Sequence, residues 1–254
     1  MAAALRDEWQ VFLLAVQFLT RLPVPGDLPF SDDRMVRAAG YYPAVGALVG
    51  VIVAAVFWVG LSLTTPGVAA FAALTAGLLA TGAFHEDGLA DAADGLVGGQ
   101  DRSAVLRIMR DSRIGSYGAL ALIAVLGLKA TTLAGLGAAA PVALIAGHTI
   151  SRLAPVLVIA NMDYAREEGS KFTAPVVDQR GLWIAGCTAA VLAIGLAVWL
   201  GPGAMVTGLG VAGICGWLFV RLCQRRIQGY TGDCLGAVQQ ICEAGLYLGV
   251  LAWL

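Results

Sequence analysis

The sequence predicts an all-α fold, a polytopic integral membrane bundle of about seven transmembrane helices behind an N-terminal interfacial or re-entrant helix. Three observations predict it. Of the 254 residues, 59% are hydrophobic and only 13% charged, at a mean hydropathy of +0.80, whereas a soluble domain carries about 25% charged residues. The charges are clumped, so the neutral stretches between them are long enough to cross a hydrocarbon core of about 30 Å. No period of 20–50 residues and no linker divides the chain, which reads as one domain over 1–254. The net charge of −1 gives no reason to expect a nucleic-acid partner, and none is expected; the lipid bilayer is.

In chain order, Trp9–Leu22 is short, ends in Arg-Leu-Pro and lacks an A-x-A cleavage site, so it reads as an interfacial or re-entrant helix and not as a signal peptide. Apolar runs follow at 42–64, 67–85, 116–138, 141–160, 182–200, 203–220 and 235–254. Gln100–Ser116 reads as a short amphipathic surface helix with Val105, Leu106, Ile108 and Met109 on its apolar side. Gly46-x-x-x-Gly50 and Gly245-x-x-x-Gly249 read as close helix-packing faces, which permit a homo-oligomer as well as packing within one chain. Gly208-x-Gly210-x-x-Gly213 matches a dinucleotide fingerprint by letters alone; no strand precedes it, and it is rejected. The five cysteines form no C-x-x-C pair and read as small apolar residues.

All 16 basic residues except Lys129 and Arg152 fall before the first run or in alternate connections, while Thr64–Gly67, Ala138–Pro141 and Gly201–Gly203 carry no charge. The positive-inside rule makes the charged side cytoplasmic. The expected location is a bacterial inner membrane with the chemistry facing the cytoplasm.

Four polar constellations gather on that side. The first is Phe84–Gly95, where twelve positions hold Glu86, Asp87, Asp91 and Asp94 of the chain's 17 acidic residues. On a helix Asp87, Asp91 and Asp94 lie within roughly 60° of one another. Oxygen ligands without a cysteine favour a hard cation, Mg²⁺ or Mn²⁺, shared with substrate phosphate; Glu86, Asp87, Asp91 and Asp94 are the candidate ligands. His85 points off this stripe if the helix runs through it, so a general-base role competes with a structural one. The second is Asp111–Gly118, where Arg110 and Arg113 can neutralise phosphate and Gly115 and Gly118 let backbone amides approach a ligand. The third is Asp163–Lys171, with Arg166. The fourth is Gly229–Gly236, continued by Gln239, Gln240 and Glu243 along one face of the last run. A membrane-buried Glu243 needs a partner, with Lys129, Arg152 or the metal cluster as candidates, and Lys129 reads as the partner of a buried acid.

With these residues in place the chain resembles the cobalamin-5′-phosphate synthases, or adenosylcobinamide-GDP ribazoletransferases. The resemblance rests on Thr20-Arg21-Leu22-Pro23, on His85-x-Asp87-Gly88-Leu89-Ala90-Asp91-x-x-Asp94-Gly95 and on Met109-Arg110-Asp111-Ser112-Arg113-x-Gly115. It continues through Tyr164–Gly169 and Thr231-Gly232-Asp233-x-Leu235-Gly236-Ala237. The loop 170–180 departs from the pattern, so Lys171 and Asp178 receive no role. The resemblance implies a Mg²⁺-dependent integral membrane enzyme that transfers the adenosylcobinamide phosphoryl group of adenosylcobinamide-GDP to α-ribazole or its 5′-phosphate, releasing GMP. Asp87, Asp91, Asp94 and His85 are then the candidate catalytic residues, and Arg21, Arg110, Asp111, Arg113, Arg166, Asp233 and Glu243 the candidate substrate contacts.

Rival readings exist. CDP-alcohol phosphotransferases also space aspartates on helices, but Leu96-Val97-Gly98 stands where Ala-Arg should follow, and the distal D-x-x-x-D is missing. Membrane prenyltransferases pair acidic motifs, against which the Asp-Gly-Leu-Ala-Asp context argues. A transporter needs polar groups at both faces, and the uncharged connections supply none.

Overall fold

The computed structural model describes residues 2–165 and 175–254. It is helical throughout, with no strand among the described residues beyond one isolated bridge. The helices are α1 (Ala2–Leu19), α2 (Asp32–Ala38), α3 (Tyr42–Leu63), α4 (Pro66–Thr81), α5 (Phe84–Gly98), α6 (Arg102–Met109), α7 (Ser116–Leu136), α8 (Ala140–Ser151), α9 (Leu153–Asn161), α10 (Gln179–Leu200), α11 (Pro202–Ile227) and α12 (Gly232–Trp253).

Among the described residues five helical segments are long and apolar enough to cross a membrane, or six with the bent pair α4–α5 taken as one span. The sequence led us to expect seven. The difference lies in Ser116–Asn161, a 46-residue segment broken at Gly137 (φ +52°) that contains two of the expected runs. Drawn out straight it would measure about 70 Å, more than twice a hydrocarbon core. The helix α1 is not among the spanning segments. It is held at the bundle's charged end by Asp7 and Glu8, which pair with Arg34 and Arg37 of α2 and with Arg180 of α10.

The last helix is the axle of the bundle. Of its most apolar window 78% is buried, against 22% for α10 and for α11, and its hydropathy is the lowest of the five segments. Protein, not lipid, surrounds it, so it can carry polar groups that a lipid-facing helix cannot. Small residues seat its neighbours. A Cβ on Gly249 would lie 2.8 Å from the Gly208 Cα, and one on Gly245 3.1 Å from the Ala212 Cα. Likewise a Cβ on Gly50 would lie 2.8 Å from the Ile145 Cα, where α3 closes on α8. Both Gly-x-x-x-Gly faces are therefore used within this chain, and the rejected glycine fingerprint lies inside α11.

One break decides where the acidic helix goes. Gly82 (φ +67°) and Ala83 (φ +57°) are both left-handed, and α5 leaves α4 at 92°. Alanine pays a steric penalty in that region of the order of 1–2 kcal/mol. The Arg21 side chain lies against Gly82, where a Cβ would come within 2.6 Å of its Nε, and the Arg21 amide donates to the Ala80 carbonyl at 2.7 Å.

Candidate active site

Turned across the bundle, α5 presents two faces. One carries Asp87, exposed, and Asp91, half-buried; half-buried Asp233 of α12 stands opposite them. Backbones meet at this crossing because neither helix has a side chain there: a Cβ on Gly88 would sit 3.1 Å from the Asp233 Cα and 3.3 Å from the Gly236 Cα. All the charges that reach Asp91 among the described residues are carboxylates, those of Asp233, Asp87 and Asp94. Asp233 keeps its rotamer through the Thr231 hydroxyl, 3.2 Å from its Oδ2, and Thr231 caps α12 by accepting from the Cys234 amide.

Asp94 has an occupation the sequence did not suggest. Its Oδ2 accepts from the Gly115 amide at 2.7 Å and its Oδ1 from the Gly118 amide at 2.9 Å, so it caps the N-terminus of α7. Gly115 and Gly118, expected to let amides reach a ligand, instead let them reach Asp94, which any Cβ at either position would strike. The carboxylate thereby fixes the 111–118 loop against α5. Asp111 and Arg113 on that loop bind one another, Arg113 Nη2 donating to Asp111 Oδ2 at 2.6 Å. This pairing with Arg113 holds the Asp111 carboxyl down at about 2. Arg113 is 87% exposed and Arg110 is exposed, both at the same end as the acidic face.

The other face of α5 looks inward. His85 and Glu86 are buried there, so Glu86, expected as a ligand beside Asp87, is on the inner side while Asp87 is exposed. Glu86 Oε1 accepts from Gln240 at 2.9 Å; Gln240 in turn accepts from Lys129 Nζ at 2.9 Å and donates to Gln239. Lys129 pairs with Glu243 at 2.7 Å, one of the three partners the sequence offered for that acid. Gln239 and Tyr247 donate to Glu243 at 2.7 and 3.0 Å, while His148 Nδ1 lies 3.5 Å from it. So Glu243, expected as a substrate contact, is fully buried and fully partnered.

The remaining constellations converge on the same end. Tyr164 bridges Tyr230, with the Tyr230 amide donating to the Asp163 carbonyl at 3.0 Å and the Ala165 amide to the Tyr230 carbonyl at 2.8 Å. Arg102 Nε donates to the Ile227 carbonyl at 3.0 Å, and Arg226 to the Gly99 carbonyl. Asp178, given no role from sequence, caps α10 through the Gly181 amide at 2.7 Å. Arg166 and Lys171 lie outside the described residues. Sequence reasoning missed an aromatic wall beside α5, formed by Phe18, Tyr42, Phe84 and Tyr164 around a cavity of about 130 Å³. Its members come from four separate segments, and no spacing links them.

Mg²⁺ is the cofactor that the resemblance implies. Among the described residues no three side chains are gathered as a ready cage. The donor set nonetheless fits, because Mg²⁺ is usually held by one or two carboxylates plus substrate phosphate and water, and among the described residues the charges acting on Asp91 and Asp233 are carboxylates.

A family model described as cobalamin-5-phosphate synthase matches residues 11–251. An adenosylcobinamide-GDP ribazoletransferase of Ralstonia pickettii (strain 12J) is 45% identical over 260 residues, covering 99% of this chain and 98% of that protein. Proteins of the same name from Leptothrix cholodnii (41% identical; 98% of each chain) and Vibrio cholerae serotype O1 strain O395 (43% identical; 100% and 98%) are similar over equal lengths. No solved structure matches the chain.

Proposed function

The chain belongs to the cobalamin-5-phosphate synthase family, a group of transferases that complete cobalamin from adenosylcobinamide-GDP and ribazole, and we propose that its acidic face on α5 and α12 carries that transfer. It is a multi-pass helical membrane protein. In the reaction a ribazole hydroxyl oxygen attacks the phosphorus bonded to cobinamide, the bond from that phosphorus to the GMP oxygen breaks, and the hydroxyl proton passes to a base.

The observation that carries this reading is an acidic face on which, among the described residues, Asp91 meets only other carboxylates, beside a loop bearing Arg110 and Arg113 that Asp94 ties to the same helix. One or two of Asp87, Asp91 and Asp233 would hold Mg²⁺, which would neutralise diphosphate charge and stabilise the departing GMP. Arg110 and Arg113 meet the remaining phosphate oxygens, Arg113 exchanging Asp111 for substrate. A carboxylate of the acidic face takes the proton from the attacking hydroxyl; His85, on the opposite face of α5, does not. Asp94 acts by holding the loop, and Arg21 by bracing the α4–α5 turn. The acidic face belongs on the cytoplasmic side of an inner membrane, where 14 of the 16 basic residues collect.

The test is GMP release by purified protein given adenosylcobinamide-GDP and α-ribazole phosphate. Release that stops with EDTA and is lost in Asp91→Asn is expected. CMP or pyrophosphate from the corresponding donors, or near-normal turnover of Asp91→Asn with excess Mg²⁺, would overturn it.

A further inference from the structure

Arginines at the charged end of the bundle differ in what answers them. Arg34, Arg37 and Arg180 are engaged by Asp7 and Glu8, and Arg113 by Asp111. Arg221 and Arg225 of α11 are exposed and make no ion pair among the described residues. Neither α11 nor its neighbour α10 contains an acidic residue that could supply one. These two cations stand on a helix that crosses the membrane with most of its surface turned outward, since only 22% of its most apolar window is buried.

Exposed tryptophans mark the depth of the pair. Trp183 lies near the charged end of α10 and Trp199 beside the uncharged Gly201–Gly203 connection, both exposed and separated by about 24 Å of helix. That separation suits two interfacial belts on a hydrocarbon core of about 30 Å. On α11, Trp217 stands about 22 Å from Pro202, so it shares the belt of Trp183. Trp217, Arg221 and Arg225 are spaced i, i+4 and i+8 and form one stripe, which exposed Val206 and Ile214 continue toward the membrane centre. The Arg221 guanidinium lies 5.6 Å from the centroid of the Trp217 ring. One and two turns past the belt, the two arginines are about 6 and 12 Å beyond Trp217. A headgroup layer is roughly 5–8 Å deep on each side, so Arg221 is level with lipid phosphates and Arg225 reaches them from their outer edge.

We infer that this stripe docks an anionic phospholipid, its phosphate accepting from Arg221 and Arg225 and its acyl chains lying along Ile214 and Val206. A soluble anion would answer the arginines but leave the apolar part of the stripe unmatched, and a zwitterionic lipid brings its own cation. The inference does not depend on the transfer reading. It does place a lipid headgroup beside the acidic helix, because the same end of α11 is tied to the α5–α6 connection by Arg226 on the Gly99 carbonyl and by Arg102 on the Ile227 carbonyl.

The test reconstitutes the full chain in phosphatidylcholine nanodiscs containing phosphatidylglycerol and counts, by native mass spectrometry, the lipids each variant retains. The wild type should retain phosphatidylglycerol in preference to phosphatidylcholine. Replacing Arg221 and Arg225 together by Gln should weaken that retention roughly fivefold per arginine, about 25-fold in all. Arg221→Lys keeps the charge but gives up the planar fork and its seat on Trp217, and should weaken retention roughly threefold. Arg6→Gln, on exposed α1, should leave it unchanged. All these side chains are exposed, so each variant should unfold at the wild-type temperature. Equal retention of the two lipids by the wild type, or undiminished phosphatidylglycerol on the double variant, would overturn the inference. So would an equal loss in Arg6→Gln or no loss in Arg221→Lys, either of which reduces the effect to diffuse attraction. Displacement of the lipid by GDP would also overturn it and assign the stripe to a soluble nucleotide.

Discussion

Two sets of carboxylates lie on opposite faces of α5, one set answered by cations and the other not. Inward, Glu86 and Glu243 are joined through Lys129, Gln240, Gln239 and Tyr247 in one network at the centre of the bundle, in which Glu86 Oε2 has no hydrogen-bond partner among the described residues. Outward, Asp87, Asp91 and Asp233 repel one another beside solvent. Among the described residues, the charges acting on Asp91 in the outward set are all carboxylates, whereas Glu243 in the inward set has Lys129 beside it. Buried ion pairs with every partner in place secure a fold, while uncompensated charge at a mouth waits for a ligand.

The comparison breaks most visibly at Lys129. Replacing it by Met strands Glu243 in the interior and should cost about 3–5 kcal/mol, seen as loss of folded protein in thermal unfolding. Removing both charges, with Lys129→Met and Glu243→Leu together, should recover most of it. Should the double variant unfold as readily as the single one, the network is not a charge-balanced unit. The outward set must behave in the opposite way: Asp91→Asn removes a repulsion, so its melting temperature should hold or rise even as GMP release falls.

Asp94 sharpens the contrast, since it lies on the same helix but serves the fold. Asp94→Ala leaves the Gly115 and Gly118 amides without their acceptor and should cost about 1–3 kcal/mol, with faster hydrogen exchange at residues 115–118. Unchanged exchange there would remove its tethering role. The smallest effect is at the periphery. Asp7 is held below its ordinary value of 3.8 by its hydrogen bond to Arg37. Burial alone would raise Glu8, yet the Tyr41 hydroxyl and Arg37 keep it below its ordinary 4.5. Both pKa values are depressed in the folded state, so their contribution is complete above those ordinary values and is lost as pH falls through the lowered ones. Acidification from pH 5 to below 3 should therefore loosen α1, detected as proteolysis within residues 5–20, before the helices around Lys129 and Glu243 open.

How much of this was legible depended on whether the signal was local. Helix class, the Gly-x-x-x-Gly contacts and the Lys129–Glu243 pairing follow from hydropathy, small-residue spacing and the expense of a lone charge in a membrane, all of which act along one helix or between obvious partners. The partners of Asp94 and Glu86 were not legible, because period alone places side chains on a helix face without saying what stands opposite. Asp94 is turned toward α7 by two glycines 21 and 24 residues downstream, and Glu86 toward Gln240, 154 residues away. The right-angled turn was not foreseen either. The run 67–85 looked continuous, and nothing in its hydropathy marks Ala83 as left-handed.

That turn has an effect on reach. Because α5 leaves α4 at 92°, the seven residues from Asp87 to Asp94 cover about 10 Å across the direction of α4 with almost no advance along it. Under the proposed transfer, reactants as unequal in bulk as a corrinoid and a nucleoside would then have room to dock side by side along that length.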